Sequence, residues 1–279
     1  MDGNVSRAGH DVPMQTLVFV HAHPDDEASQ TGGSIARAVA AGYRVVLVVA
    51  TGGEHGESPD DLAPGESLAD RRRRELEASA AVLGVSRVVW LGYHDSGMTG
   101  WAQNDDPAAF ARADLDEAAG RLARIVDEEG AGVLVGYDWH GGYGHPDHVQ
   151  VHRVVHRAAS LVARPVRLLE ATMNRDRMRA LMAAGPPPGM PAGEASDFDP
   201  DQPMDDGNPL GMPEAEIHWA VDVTAQIATK RAALACHASQ VSDVSMFLAV
   251  PMEAFTVMFG AEFFIEPGRE PGMEWGWPF

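Results

Sequence analysis

Two short segments concentrate the side chains that bind metal ions and transfer protons. The first reads His-Ala-His-Pro-Asp-Asp-Glu over residues 21–27, and the second reads Gly-Tyr-Gly-His-Pro-Asp-His over residues 142–148. Imidazole nitrogens and carboxylate oxygens are ligands of zinc and similar divalent ions, and a catalytic site keeps one coordination position for water. Together the two segments predict the site of a metal-dependent hydrolase.

The ligand set suggested by these segments is two imidazoles and one carboxylate. His23 and Asp26 stand three residues apart in a turn that Pro24 stiffens, and His148 comes from the distant second segment. Asp25 is then a second carboxylate beside the ion, as expected of a general base that takes a proton from water. Either segment alone is typical of an ordinary turn with a solvated histidine. The two together, each after an apolar run, favour the metal site.

The composition restricts the classes of protein to which the chain can belong. It carries a formal charge of −20, with 41 acidic and 21 basic side chains, which argues against nucleic acid or an anionic membrane as a partner. One cysteine, Cys236, excludes an internal disulfide and fits a reducing cytoplasm. Lys230 is the single lysine. No apolar run approaches the roughly 18 residues of a membrane span, and residues 1–15 lack the pattern of a signal peptide.

The elements that must position the two motifs alternate between strand and helix. Short apolar runs rich in β-branched residues predict strands at 17–20, 44–50, 88–91, 133–137 and 166–171. Helical spacing of apolar residues predicts helices at 34–41, 67–83, 107–129 and 149–162. This alternation predicts an α/β fold, a Rossmann-like doubly wound and mostly parallel sheet with helices on both faces. Both motifs directly follow a strand, so we expect the site at the carboxyl ends of the strands.

The C-terminal part departs from this alternation. Residues 185–213 are rich in proline and glycine and predict a long loop inserted into the domain. After it we expect a strand at 216–223, a helix at 225–237, and a Phe- and Met-rich segment at 244–264 that packs on the sheet. The last ten residues read as a surface tail. The expectation is one domain over residues 1–279, with 214–279 as its C-terminal portion.

The motifs resemble the signature of the PIG-L/LmbE superfamily of zinc-dependent N-deacetylases. Its Ala-His-Pro-Asp-Asp-Glu turn is matched at residues 22–27, and its His-Pro-Asp-His turn at residues 145–148. Supporting stretches are Asp-Ser-Gly-Met at 95–98, Lys-Arg-Ala-Ala-Leu at 230–234 and His-Ala-Ser-Gln at 237–240. The similarity is strongest to the mycothiol branch, which contains the deacetylase of N-acetylglucosaminyl-inositol and the mycothiol S-conjugate amidase.

The resemblance implies a zinc enzyme that hydrolyses the N-acetyl group of an amino-sugar conjugate. In it His23, Asp26 and His148 bind one zinc ion per chain, with other divalent ions such as Fe²⁺ as alternatives. Asp25 is the general base that takes the proton of the attacking water. The implied partner is a small-molecule amino sugar or sugar conjugate, and the products are acetate and a free amine.

The resemblance also implies roles for five further residues. His145 stabilises the oxyanion or protonates the leaving amine, and Asp147 is hydrogen-bonded behind it to fix its tautomer. Tyr143 adds a phenol donor to the tetrahedral intermediate. Arg72 and Asp95 match positions that hold the sugar and the polar groups of the substrate.

Other functions remain open on the sequence alone. Within the same superfamily, the chain is alternatively an amidase of thiol–sugar S-conjugates or a deacetylase of a natural-product intermediate. A non-haem iron oxygenase also uses two histidines and a carboxylate, but its β-sandwich disagrees with the alternation of strands and helices. A metallophosphoesterase needs more ligands than these loops provide. A non-catalytic metal- or sugar-binding protein has no need of Asp25.

Overall fold

The computed structural model describes residues 15–186 and 198–279, and within these ranges eight strands form one sheet. The strands are β1 (Thr16–His21), β2 (Arg44–Thr51), β3 (Arg87–Tyr93), β4 (Val133–Tyr137), β5 (Arg167–Thr172), β6 (Trp219–Asp222), β7 (Ala261–Ile265) and β8 (Glu274–Trp275). Their order across the sheet is β3-β2-β1-β4-β5-β7-β6-β8. The first five are parallel, and β7 pairs antiparallel with both β5 and β6.

Helices cover this sheet. They are α1 (Asp26–Gln30), α2 (Gly32–Ala40), α3 (Leu68–Leu83), α4 (Leu115–Glu129), α5 (Pro146–Ala159), α6 (Arg175–Ala183), α7 (Ile227–Leu234), α8 (Val241–Ala249) and α9 (Met252–Phe259). Helices α2, α3 and α7 pack together, and α4 packs with α5. Because parallel connections are right-handed, the reversal of strand order after β3 places these two groups on opposite faces. The predicted doubly wound fold is confirmed.

Strands β1, β2 and β4 form the centre of the core. Every residue of β1 and β4 is buried, as are the last seven residues of β2. Such strands lie between two helical layers, which is why their sequences are continuous apolar runs without alternation. The apolar runs of the sequence therefore identified the strands that carry the site.

Several sequence-based boundaries were wrong, each for a local reason. The helix expected at 107–129 begins at Leu115, because Asp114 caps it by accepting a hydrogen bond from the Glu117 N–H at 2.9 Å. Residues before this cap form short 3₁₀ turns. The expected surface tail instead packs on the core, where the Phe279 ring lies 5.8 Å from that of Phe19 and 5.3 Å from that of Phe264.

The loop expected at 185–213 is described only in part, because residues 187–197 lie outside the described residues, as do residues 1–14. Over 198–213 the chain forms turns and one isolated bridge, from Met212 to Asn174, as the prediction of a loop required. Helix α6, which precedes this loop, was missed. In the described part of the chain, no helix combines the length and apolar character needed to cross a bilayer.

A buried ion pair joins the C-terminal elements to the sheet. Lys230 of α7 donates to Glu262 of β7 at 2.6 Å, and each side chain is 2% exposed. Glu262 also accepts from the N–H groups of Gly33 and Ser34, at 2.8 and 2.7 Å, in the first turn of α2. One carboxylate thus connects α2 and α7 with the antiparallel strand β7.

Candidate active site

The two motifs meet where the strand order of the sheet reverses. β1 and β4 are neighbours, with Leu17 opposite Val133, and each is followed directly by one of the motifs. The connections before and after this point cover opposite faces, which leaves a crevice at the carboxyl ends of the two strands. The site predicted for this edge of the sheet is therefore at its topological switch point.

Three donor atoms converge in this crevice. His23 Nδ1 lies 3.3 Å from His148 Nε2 and 3.6 Å from Asp26 Oδ2, and the last two atoms are 3.3 Å apart. Three ligand atoms around a tetrahedral zinc ion, each bonded at about 2.1 Å, are about 3.4 Å from one another. All three residues are buried. The donor set fits a zinc-type ion in both chemistry and spacing.

The outer nitrogens of both imidazoles are held by acceptors. His23 Nε2 lies 3.1 Å from Asp147 Oδ2, and His148 Nδ1 lies 3.1 Å from the carbonyl oxygen of Gly141. Protons on these outer nitrogens leave the inner lone pairs free for a metal, as is usual for metal-binding histidines. Tyr137 stacks on the His148 ring at a centroid distance of 4.6 Å and fixes its plane.

The cluster strongly favours positive charge. Burial opposes protonation of His23, but Asp95, Asp147 and Asp26 outweigh it and raise the pKa of His23 well above its usual value. Burial likewise opposes ionisation of Asp26, yet His148 and His23 hold the pKa of Asp26 well below its usual value. A pocket with this electrostatic balance is suited to a cation.

Asp25 stands beside this cluster in a strained conformation. Its backbone φ is 106°, in the left-handed region that non-glycine residues rarely occupy. Its N–H donates to Glu27 Oε2 at 3.0 Å, and its carboxylate accepts from Arg72 at 2.9 Å. Burial raises the pKa of Asp25 to about 6, although Arg72 opposes the rise. A carboxylate of this pKa is a suitable general base near neutral pH.

Glu27 supports the turn from below and was left out of the sequence-based site. Its side chain is fully buried, and it accepts hydrogen bonds from Ser79 and, at 2.7 Å, from His237. His237 had no assigned role. The sequence gives no direct signal for this contact, because 210 residues separate the two partners and α7 must dock before they meet.

His145 is placed beside the donor atoms as a neutral hydrogen-bond donor. Its ring nitrogen lies within 4.8 Å of those of His23 and His148. Burial, together with His23 and His148, lowers the pKa of His145 to about 2. Its Nδ1 accepts from the backbone N–H of Asp147 at 3.1 Å, so the proton of the neutral ring lies on Nε2.

Asp147 is hydrogen-bonded to His145 as expected, but through its backbone N–H and not through its carboxylate. That carboxylate accepts from Ser96 N at 2.9 Å and from His23, while the Asp147 backbone fixes the tautomer of His145. The cause is the position of Asp147 in the first turn of α5, where its N–H points back at the capping residue and its side chain crosses to the first motif.

Tyr143 lies on the same loop and faces the cavity. Its ring is edge-on to His148 at 4.9 Å, and burial, with Asp26 and Asp25, raises the pKa of its phenol well above its usual value. The phenol therefore keeps its proton. The loop depends on Gly141 (φ +67°), where an added Cβ would be 2.2 Å from His148 Cβ.

Arg72 and Asp95, the expected substrate-binding residues, line the cavity but bind mostly to protein. Asp95 accepts from the N–H groups of Gly97 and His55, at 2.8 and 3.1 Å. Arg72 donates to the carbonyl oxygens of Gly53 and Pro24, at 2.8 and 2.5 Å, besides Asp25. Within the described residues, only its Nε has no partner. Both side chains hold the loops around Asp25 and His23.

A cavity of about 680 Å³ opens onto the cluster. Its end near the donor atoms is polar. Apolar side chains from α6, α8 and α9 also line the cavity, including Met178, Leu181, Phe247 and Phe259. The buried pair of Lys230 and Glu262 also contributes to this wall. The site can therefore receive a molecule with both polar and apolar parts.

Comparison with known proteins shows the family. The family model described as PIG-L, GlcNAc-PI de-N-acetylase, matches residues 18–159. The chain belongs to the PIG-L family. The 1D-myo-inositol 2-acetamido-2-deoxy-alpha-D-glucopyranoside deacetylase of Salinispora arenicola is 37% identical to this PIG-L family member over 290 aligned positions, which cover 95% of this chain and 90% of that relative. The resemblance stated from the motifs is confirmed.

Solved structures support the fold of this PIG-L family member. N,N'-diacetylchitobiose deacetylase from Pyrococcus horikoshii superposes with a TM-score of 0.57 at 22% identity, covering 90% of this chain and 83% of that one. GalB from Pseudomonas putida, a 4-carboxy-2-hydroxymuconate hydratase, superposes with a TM-score of 0.55 at 18% identity, covering 92% and 98%. A deacetylase and a hydratase thus share this fold, so the reaction must be argued from the site.

Proposed function

We propose that the protein is a zinc-dependent N-deacetylase that acts on a small-molecule amino-sugar conjugate. The observation that carries the proposal is the convergence of His23 Nδ1, Asp26 Oδ2 and His148 Nε2 next to Asp25, at a cavity that His23, Asp25 and Asp26 line. The name of the Salinispora arenicola relative makes N-acetylglucosaminyl-inositol the first substrate to test. The lone cysteine supports a cytoplasmic location, and we propose one domain over the whole chain.

The side chains divide the work of amide hydrolysis. When bound by His23, Asp26 and His148, zinc supplies a Lewis acid for the amide carbonyl and lowers the pKa of water. Asp25 takes a proton from the attacking water as the carbon–oxygen bond forms. Its Arg72 contact keeps the carboxylate ionised and oriented.

His145 and Tyr143 act on the carbonyl oxygen. Each keeps a proton that it can donate, the imidazole on Nε2 and the phenol on its oxygen. Donors of this kind stabilise the negative charge that develops on the oxygen in the transition state. Because the pKa of His145 is lowered to about 2, we assign it this donor role. When the carbon–nitrogen bond breaks, protonated Asp25 returns its proton to the leaving amine, giving acetate and the free amino sugar.

A second candidate function is cleavage of thiol–sugar S-conjugates. It is favoured by the apolar part of the cavity lining, where Met178, Leu181 and Phe259 can contact an apolar group carried by the substrate. The chemistry is the same amide hydrolysis, so the two candidates differ only in what lies beyond the scissile bond.

The test is a screen of the zinc-loaded protein for release of primary amine. The substrates are N-acetylglucosaminyl-inositol, other N-acetylated amino sugars and thiol–sugar S-conjugates, and the control is His148→Ala. We expect amine release with at least one class of substrate, and loss of both metal and activity in the variant. A His148→Ala protein with full metal content and activity contradicts the ligand assignment.

Asp25→Asn separates the base from the ligands. Because Asp25 is proposed to act on water and not to bind the ion, zinc content should stay near one per chain while kcat falls about 10²-fold or more. Metal analysis and turnover are measured on the same preparation. Loss of metal together with activity would make Asp25 a ligand.

A further inference from the structure

We propose that His152, His156 and Glu170 form a second binding site for a divalent transition metal, outside the active site. His152 and His156 are four residues apart on α5, so their side chains leave the same face of the helix. Glu170 lies on β5, beneath that face. Two imidazoles and one carboxylate are a known ligand set of three-ligand zinc sites.

The three side chains already converge. Glu170 Oε1 lies 2.5 Å from His156 Nε2, and the centroids of the His152 and His156 rings are 4.3 Å apart. One ligand atom from each residue lies within 4.8 Å of the other two. Small rotations of partly exposed rings are enough to bring such atoms around one ion.

A backbone acceptor orients the first imidazole. His152 Nδ1 lies 3.0 Å from the carbonyl oxygen of Tyr137, at the end of β4. A ring that donates from Nδ1 to a carbonyl keeps the lone pair of Nε2 for a metal, which is the arrangement that accompanies most metal-binding histidines. The active-site histidine His148 is held in the same way by Gly141.

The charge around Glu170 also points to a cation. Its side chain is 9% exposed, and in the described residues no lysine or arginine nitrogen lies within 4.0 Å of its carboxylate. A buried carboxylate requires a positive partner or several hydrogen-bond donors. Here the imidazoles are its partners, and they are 20% and 37% exposed, so an ion and its remaining water ligands can reach the site from solvent.

This site is separate from the active site but shares its elements. Among the described residues that line the cavity, none of the three ligands is present. Helix α5 carries His148 and Asp147 in its first turn, and β5 leads into Thr172 and Met173 of the cavity wall. A metal between α5 and β5 would therefore cross-link two elements that position the active site.

The experiment counts metal ions on the full-length chain. Metal-free protein is dialysed against Zn²⁺ or Co²⁺, and the bound ions are counted by elemental mass spectrometry. We expect two ions per wild-type chain, one in His152→Gln/His156→Gln, and one in His148→Ala. The matched control is His94→Gln, which removes an exposed histidine that pairs with Asp106 at 2.9 Å and, among the described residues, belongs to no cluster of three potential ligands; it should keep two ions.

A second measurement does not depend on the histidine pair. In the His148→Ala background, zinc should raise the midpoint of thermal unfolding, and adding Glu170→Gln should abolish that rise. One ion per wild-type chain, or two ions retained in the pair variant, overturns the proposal. Loss of both ions in His148→Ala would place the second ion in the active-site cluster and also overturn it. The expected loss of one ion in His148→Ala supports the proposed active-site ligands, and the ion that remains is the one assigned to the second site.

Discussion

Single residues of the proposed site have different electrostatic surroundings. Carboxylates surround His23, so that imidazole faces an environment favourable to a cation. His145 is only 4.5 Å away, centroid to centroid, yet its Nδ1 faces a backbone N–H. Two histidines of the same cluster thus have opposite electrostatic surroundings, and this difference suits them to different tasks.

His145→Ala tests the donor role. Because the donor acts on charge that develops in the transition state, we expect kcat to fall about 10²-fold with KM and metal content little changed. Steady-state kinetics and metal analysis check this. An effect confined to KM would make His145 a contact of the bound substrate and leave Tyr143 as the protein donor to the oxyanion.

Arg72→Leu tests the electrostatic control of Asp25. The guanidinium favours the ionised carboxylate, so its removal should raise the pKa of Asp25. The general base must be ionised, and the acidic limb of the kcat/KM profile should therefore move to higher pH. The matched control is Arg73→Leu, whose guanidinium lies over the Trp90 ring at 4.5 Å and should leave the profile in place. If the acidic limb of the kcat/KM profile does not move in Arg72→Leu, Arg72 does not set the pKa of Asp25.

The ligand candidates were accessible to sequence analysis because each motif is contiguous and follows a strand. His23 and Asp26 lie in one turn, and the position of that turn after β1 follows from the fold class. The direction of individual side chains was not accessible. The Asp147 carboxylate binds His23, and Arg72 donates to backbone carbonyl oxygens. Both contacts depend on tertiary packing, which no local sequence pattern encodes.

At the scale of elements, Glu27 connects α1, α3 and the residues after α7. Its carboxylate meets Ser79 and His237 on one oxygen and the Asp25 N–H on the other. The strained turn at Asp25 is therefore held by contacts that form only when these helices pack together.

His237→Ala should weaken that support. It leaves Glu27 buried without its imidazole partner, and we expect the free energy of unfolding to fall by about 3 kcal/mol. Turnover should fall as well, with zinc content unchanged, because Glu27, which accepts from the Asp25 N–H, is held less firmly. Urea unfolding and kinetics measure the two effects, with His94→Ala as the exposed control. An unchanged free energy of unfolding would show that the contact between His237 and Glu27 does not stabilise the fold.

Some helix ends could be predicted from their capping residues, and other elements could not. The end of α3 at Leu83 was predicted correctly, with Gly84 in the left-handed conformation after it. The five-residue helix α1 was missed, since one turn of helix shows no apolar periodicity. The aromatic C-terminus was taken for a tail because its partners, Phe19 and Phe264, are distant in sequence.

At the scale of the whole molecule, five parallel strands are extended by β7, β6 and β8, and among the described strands β7 alone runs in the opposite direction. The sequence predicted the parallel half through its repeated strand–helix alternation. Strand β7 reaches β5 only after α6 to α9, so the pairing could not be derived from neighbouring sequence. The ion pair of Lys230 and Glu262 fixes this junction.

Lys230→Met tests how much that junction contributes. Removing the amine leaves the Glu262 carboxylate buried with two backbone donors, and we expect a loss of about 3–5 kcal/mol in the free energy of unfolding. Denaturant titration of Lys230→Met gives the value. Adding Glu262→Gln should recover part of the loss, since the second change removes the unpaired charge. A double variant no more stable than Lys230→Met would show that the buried charge is not the cause.

The same ion pair has a practical consequence for chemical labelling. Lys230 is the single lysine of the chain, and in the folded protein its amine is enclosed and bound to Glu262. Because Lys230 borders the cavity, a lysine-acylating reagent that is too large to enter the cavity can modify this residue only while α7 is detached from β7. The rate at which the peptide that contains Lys230 gains an adduct, measured by mass spectrometry apart from the N-terminal amine, therefore reports the opening of this junction without any introduced probe.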